Sequence, residues 1–199
     1  MKNLSPQLLD LARKQRYLLT RELVSAGVSG VQISRMVASG TLVRMGRGVF
    51  VLPGYLPSEH GLVALVAARA PHAIVCLLTA LRFHGLTSQA PFEVWLAVGN
   101  AGHPPRISYP PIRVVRFSGI ALTEGIAEVT VEGHPVRMTT VARTVADCFK
   151  FRNKIGFDVA LEALREAWRE RRVTMDELWR AAQTCRVTNV MRPYLESLT

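Results

Sequence analysis

Gln32, Arg35, Arg44 and Arg47 lie close together in the stretch 20–54, TRELVSAGVSGVQISRMVASGTLVRMGRGVFVLPG. Their side chains suit one kind of chemistry, hydrogen bonding to the edges and backbone of a nucleic acid. An Arg can donate to two acceptors on guanine, and a Gln can bond two groups on adenine. An apolar side chain can touch the thymine methyl. That chemistry needs side chains held on one outward face, so the local elements decide whether it is available.

Thr20–Ala26 has a helix pattern. Thr20 is placed to cap its start, Glu22 suits the positive end of the dipole, and Gly27 suits the C-terminus. Ser29-Gly30-Val31-Gln32 fits a capping box for a second helix, which Gly40 ends. Ile33, Met36 and Val37 share one face, while Gln32, Arg35 and Ser39 fall opposite, with Val31 beside them. Leu42–Met45 and Val49–Leu52 read as strands around the tip Gly46-Arg47-Gly48, placing Arg44 and Arg47 to reach a phosphate or the minor groove. Two short helices, a Gly turn and a hairpin in that order have the pattern of a winged helix-turn-helix. Pro6–Gln15 reads as a supporting helix capped by Ser5, with Leu8, Leu11 and Ala12 on its core face. Lys14 and Arg16 near its end are further candidate phosphate contacts. The candidate DNA-binding set is therefore Lys14, Arg16, Gln32, Arg35, Ser39, Arg44 and Arg47. The plainer alternative is that Gln32 only completes the cap and the arginines are solvated.

Charge favours the first interpretation. The 199 residues carry 25 Lys+Arg against 15 Asp+Glu, a net +10, and residues 1–54 hold 8 basic and 2 acidic side chains. More than half of the excess thus lies in the N-terminal part, which suits a polyanion partner. A hydrophobic share of 49% allows a packed core, and 20% charged residues argue against disorder. The longest clean apolar run, Ala73–Leu81, is far short of the ~20 residues of a spanning helix, and the N-terminus lacks a signal-peptide pattern. Cys76, Cys148 and Cys185 are odd in number and far apart, and read as buried thiols of a reducing cytoplasm.

Two domains are expected: a winged helix-turn-helix over 1–54, closed by the Pro/Gly-rich stretch 53–57, and a mixed α/β domain over 55–199. The fold class is α+β, with a small sheet and C-terminal helices in the second part. Helices are expected at Glu59–Arg69 and Leu77–His84, strands at Phe92–Val98 and Ile112–Phe117, and a hairpin at Ala127–Met138 around Glu132-Gly133-His134. Helices follow from Thr140 to about Arg152, over Phe157–Arg171 with Phe157, Leu161, Leu164 and Trp168 on one face, and from a capping box at Thr174–Glu177 to about Cys185. A last helix, Thr188–Leu198, would be bent or interrupted by Pro193.

No catalytic or metal-ligand pattern emerges, so neither a metal nor a cofactor is expected. The five histidines form no H-x-H or H-E-x-x-H, and there is no phosphate-cradling Gly-rich loop or G-x-S-x-G elbow. His84 reads as a local packing or hydrogen-bonding group. A nuclease would need clustered strand carboxylates; Glu93 stands alone, with Trp95 where a lysine would be expected. Arg143, Asp147 and Lys150 sit at i, i+4 and i+7 of a helix, either as a local ion pair or as a polar patch that docks a partner. A protein-interaction module built on a winged helix remains an alternative to a DNA-binding protein.

Taken in order, several of these segments resemble the AbiEi antitoxins of bacterial type IV toxin–antitoxin systems. The carriers are Gly46-Arg47-Gly48-Val49-Phe50, Leu78–Leu81 followed by His84-Gly85-Leu86, the strand Val94–Ala97, and Thr140–Asp147 after a hairpin, similar to the family's R-T-x-x-D helix. The resemblance covers nearly the whole chain. It implies a cytoplasmic repressor of phage-defence (abortive-infection) type. The N-terminal domain would bind double-stranded operator DNA and repress its own operon. One small winged helix buries limited surface, so two copies on an inverted repeat are expected for tight binding. The C-terminal domain would counteract a nucleotidyltransferase-like toxin without needing a stable complex. Carried over by position, the DNA contacts would be Gln32, Arg35, Arg44 and Arg47, and the antitoxin patch Arg143, Thr144 and Asp147, with Lys150 beside them. Some relatives carry a nuclease-like C-terminal part, from which this sequence departs.

Overall fold

The computed structural model describes residues 6–56, 58–89 and 91–198. Two compact units divide the chain: Met1–Arg69 with Thr130–Val136, and Ala70–Val129 with Arg137–Thr199. Among the described residues the fold is mixed α+β, with ten α-helices and two small sheets.

The first unit begins with α1 (Pro6–Lys14), β1 (Leu18–Leu19), α2 (Thr20–Ser25), α3 (Gly30–Ala38), β2 (Val43–Gly46), β3 (Val49–Val51) and α4 (Gly61–Arg69). Its three strands pair antiparallel in the order β1-β3-β2. The expected Ser5 cap of α1 and Pro57 lie outside the described residues. Leu8, Leu18, Leu23, Ile33, Leu42 and Phe50 form the core that ties helices to sheet. One cap differs from expectation. Thr20 is the first residue of α2, and Leu19 takes the cap position, its N–H donating to Glu22 Oε2 at 3.0 Å. The Thr20 N–H instead donates to the Gly48 carbonyl, because Leu18–Leu19 pairs as a strand with β3.

Thr130–Val136 counts with this unit, and Glu132 shows why. Its carbonyl accepts the Arg16 N–H, and its carboxylate accepts the Tyr55 hydroxyl (2.9 Å) and the Ser58 N–H (3.0 Å). Gly133 is required here: at φ +82° it presses on the end of α1, where an added Cβ would collide with the Lys14 carbonyl.

The second unit contains β4 (Ile74–Val75), α5 (Leu77–Phe83), β5 (Val94–Gly99), β6 (Ile112–Phe117) and a 3-10 turn (Gly119–Leu122). It continues through β7 (Ile126–Val131) and β8 (His134–Thr139), whose facing ends belong to the first unit, and then α6 (Val141–Lys150), α7 (Arg152–Ile155), α8 (Phe157–Arg169), α9 (Met175–Cys185) and α10 (Thr188–Glu196). The sheet order is β6-β5-β4-β8-β7, with β5–β6 and β4–β8 parallel and β4–β5 antiparallel. α6 is the central element, buried from Ala142 to Phe149 and packed by α5, α8 and α9. The inward face of α8 is Val159, Ala160, Ala163, Leu164 and Ala167, whereas Phe157 is exposed. Of the expected face, Leu164 is buried and Leu161 and Trp168 are half-buried, and the alanines beside them allow the close approach to α6. The helix expected to reach Arg152 stops at Lys150 and restarts as the single turn α7, while α10 runs on through Pro193.

Burial pushes the Glu132 carboxyl up, but the bonds from Ser58 and Tyr55 outweigh it and hold the group below the usual 4.5. A depressed carboxyl stabilises the fold above its unfolded pKa, and that contribution disappears as pH falls through the folded value. Glu132→Gln is therefore expected to lower the urea midpoint at pH 7, and the gap from the parent is expected to shrink at about pH 3. A gap of equal size at both pH values would mean that the carboxylate's charge contributes nothing.

Candidate nucleic-acid interface

The geometry of the first unit starts from the turn between α2 and α3. The Gly27 N–H donates to Val24, the Val28 N–H to Leu23, and Val28 is buried. These bonds close the turn tightly and fix where α3 begins. Ser29 and Gln32 then form a reciprocal cap: the Gln32 N–H donates to Ser29 Oγ at 3.3 Å, and the Ser29 N–H donates to Gln32 Oε1 at 2.7 Å. At the other end the Thr41 and Leu42 N–H groups both reach the Met36 carbonyl, which ends the helix in a compact C-cap.

Ile33 is buried and Met36 and Val37 are half-buried, so the core side of α3 is settled. At 100° per residue the opposite side centres on Val31, Arg35 and Ala38, with Ser34 beside them, and all four are exposed. Arg35 has no ion pair or side-chain hydrogen bond among the described residues. Gln32 and Ser39 flank this face. Gln32 has one amide oxygen engaged in the cap, and Ser39 Oγ bonds the Met36 carbonyl and Thr41 Oγ1. Both side chains are thus occupied by the helix itself, and a two-point contact from Gln32 to adenine would require opening the cap.

The hairpin β2–β3 turns over Arg47-Gly48, with an irregularity in register between Arg44 and Gly46. Arg47 is exposed at its tip and, like Arg35, has no partner among the described residues. The Arg44 guanidinium lies 5.6 Å from the centre of the Phe50 ring, which steadies its stem while leaving its charge exposed. Lys14 and Arg16 lie elsewhere, at the end of α1. Both are exposed, but Arg16 sits in the field of Glu132, so part of its charge is already answered within the unit.

The second constellation lies inside the second unit. Arg143 is 1% exposed and Asp147 is 0% exposed, and Thr144 is buried with them. The Arg143 guanidinium donates to Asp147 Oδ1 (3.1 Å), to the Glu124 carbonyl (2.6 Å) and to the Ala121 carbonyl (3.1 Å), and it stacks on Phe117 at 4.8 Å. Gly125 permits this, since a Cβ there would meet Arg143 Cβ at 2.7 Å. Thr144 Oγ1 bonds Thr139 Oγ1 and the Thr140 carbonyl. Burial raises the Asp147 pKa, and the Arg143 charge and the Cys185 thiol, 3.2 Å away, only partly offset it. This corrects the expected docking patch. Arg143, Thr144 and Asp147 are internal ties that hold the loop Gly119–Gly125 against α6, because a desolvated guanidinium must spend its donors on nearby carbonyls and a carboxylate. Lys150 is half-buried at the far end of α6. Above them a groove of about 860 Å³ opens, lined among others by Thr140, Arg172, Glu177, Arg180 and Thr184.

Other sequence expectations find ordinary places. His84 Nε2–H donates to the Thr139 carbonyl at 2.7 Å, and burial lowers its pKa. Glu93 pairs with Arg113 at 2.8 Å, and Arg113 lies over Trp95. The three cysteines are buried thiols. No described helix is long and apolar enough to cross a membrane.

The order helix–strand–helix–helix–hairpin, with β1 closing a three-stranded sheet against the hairpin, defines a winged helix-turn-helix fold. Residues 6–53 match the family model for the AbiEi antitoxin transcriptional regulator. The crystal structure of the RV2827C protein from Mycobacterium tuberculosis is similar in fold, with a TM-score of 0.60 and 15% identity over 88% of this chain and 69% of that one. No curated protein matches the chain.

The buried ion pair gives a direct test. Arg143→Ala takes the guanidinium from the buried Asp147 and from the loop carbonyls, and is expected to cost about 3–5 kcal/mol in urea unfolding. A loss below about 1 kcal/mol, the range of an exposed pair, would place Arg143 at the surface.

Proposed function

We propose that this protein represses its own toxin–antitoxin operon by laying α3 in the major groove of operator DNA. The β2–β3 hairpin would lie on the adjacent backbone or minor groove. The observation that carries this reading is the outward face of α3, where Arg35 stands exposed and unpaired on a helix whose other side is fixed in the core. A recognition helix reads base edges with residues near its N-terminal end, and Arg35 can donate to guanine O6 and N7. Arg47, Arg44 and Lys14 would serve as phosphate or minor-groove contacts, which position the protein without reading sequence. One winged helix buries limited surface, so two copies on an inverted repeat are expected for tight binding.

The second unit would supply the antitoxin activity against a nucleotidyltransferase-like toxin. Because Arg143, Thr144 and Asp147 are internal, they would serve that activity by shaping the unit, and contact with the toxin would fall to exposed groups. The reading calls for no cofactor, metal or catalytic step.

Two substitutions separate the roles when binding to the upstream DNA of the protein's own operon is titrated over a range of salt. Arg35→Ala is expected to cost about 1–3 kcal/mol and to relax the preference at one base pair. Arg47→Ala is expected to weaken binding to all sequences alike and to reduce the log–log salt slope by about 1. If both variants bind like the parent, α3 and the hairpin are not the DNA contacts.

A further inference from the structure

We propose that Val31 reads the 5-methyl group of a thymine in the operator, within two base-pair steps of the base that Arg35 reads. This rests on the DNA-binding reading of α3 and adds a specific base contact to it. Val31 is the most exposed residue of its type on the helix, at 62%, whereas Ile33, the other β-branched residue of the first turns, is 4% exposed. Its place on the helix sets it apart from scattered surface valines. It lies at the centre of the outward face, one turn before Arg35 and two turns before Ala38, on the side that faces away from the core. Gln32, the neighbour with base-reading chemistry, has its amide oxygen committed to the Ser29 N–H. Direct contact near the start of α3 therefore falls to Val31.

The major groove offers an apolar side chain one strong complement, the methyl group at C5 of thymine. A β-branched side chain in a helix holds essentially one χ1 rotamer, so Val31 presents its methyls rigidly and loses little freedom on contact. The spacing limits the geometry further. Val31 and Arg35 are four residues apart, about 6 Å along the helix axis, and base pairs are stacked about 3.4 Å apart. The thymine and the guanine should therefore lie no more than about two steps from one another.

Deoxyuridine removes the methyl and nothing else. The experiment replaces each thymine of the bound upstream duplex singly with deoxyuridine. Affinity is measured at fixed salt for the parent, Val31→Ala and Arg35→Ala. One thymine per half-site should respond, with the parent weakened roughly fourfold, the worth of one buried methyl group. Val31→Ala should bind the unsubstituted duplex more weakly and show no further loss at that thymine. The base pair at which Arg35→Ala loses preference should lie within two steps of it. The proposal is overturned if the parent tolerates every replacement within about twofold, or if Val31→Ala keeps the parent's response. Either result, with preferential binding to the upstream duplex intact, would leave the repressor reading standing. If the parent does not prefer the upstream duplex over a scrambled one, both fail together.

Discussion

A nine-residue helix does not hold itself in water, so α3 depends on burying Ile33 against Leu8, Leu23, Leu42 and Phe50. That contact fixes the rotation of the helix about its axis, and the rotation decides which side chains face outward. Rolled by one residue, Gln32 would take the centre of the face and Val31 would turn toward its edge. The Ser29–Gln32 cap and the Met36 carbonyl bonds then fix both ends. The outward face of α3 is thus a consequence of core packing, and its precision comes from residues that never leave the interior.

The second unit depends on a different kind of constraint. Among the described residues Arg143 is the largest side chain less than 2% exposed, and a cation taken out of water must have its donors answered. It is answered by the carboxylate one turn along α6 and by two carbonyls of a loop about twenty residues earlier in the chain. The loop cannot relax without stranding the charge, and Asp147 cannot be lost without the same consequence. One oxygen of Asp147, Oδ2, still has no hydrogen-bond partner among the described residues, so the tie is held at some cost. Such a device gives a unique arrangement more readily than it gives stability.

Much of the first unit was legible in the chain because its signals are local. The capping box at Ser29, the apolar spacing of Ile33, Met36 and Val37, and the Gly-Arg-Gly tip each sit within a few residues of what they specify. β1 and β4 escaped notice since two residues carry no periodicity. The Thr20 cap failed because pairing of Leu18–Leu19 with β3 overrides the local preference. Gln32 was ambiguous for a physical reason: one amide can serve a cap or a base, and only the geometry shows which is occupied. At Arg143 and Asp147 the i, i+4 spacing was visible, but the loop that buries them is remote in sequence. On α8 the expected Leu164 is buried, but Ala160, Ala163 and Ala167, which complete the inward face where two helices approach closely, carry no large-side-chain signal.

Whether α3 and its hairpin recognise a specific duplex is decided by affinity. The most direct measurement titrates the 199-residue protein, by fluorescence anisotropy, against its own upstream DNA and against a scrambled duplex of equal composition, at several salt concentrations. Tighter binding to the upstream duplex is expected, with log K falling linearly as log salt rises on both duplexes. Equal, weak affinity for the two at every salt concentration would contradict it.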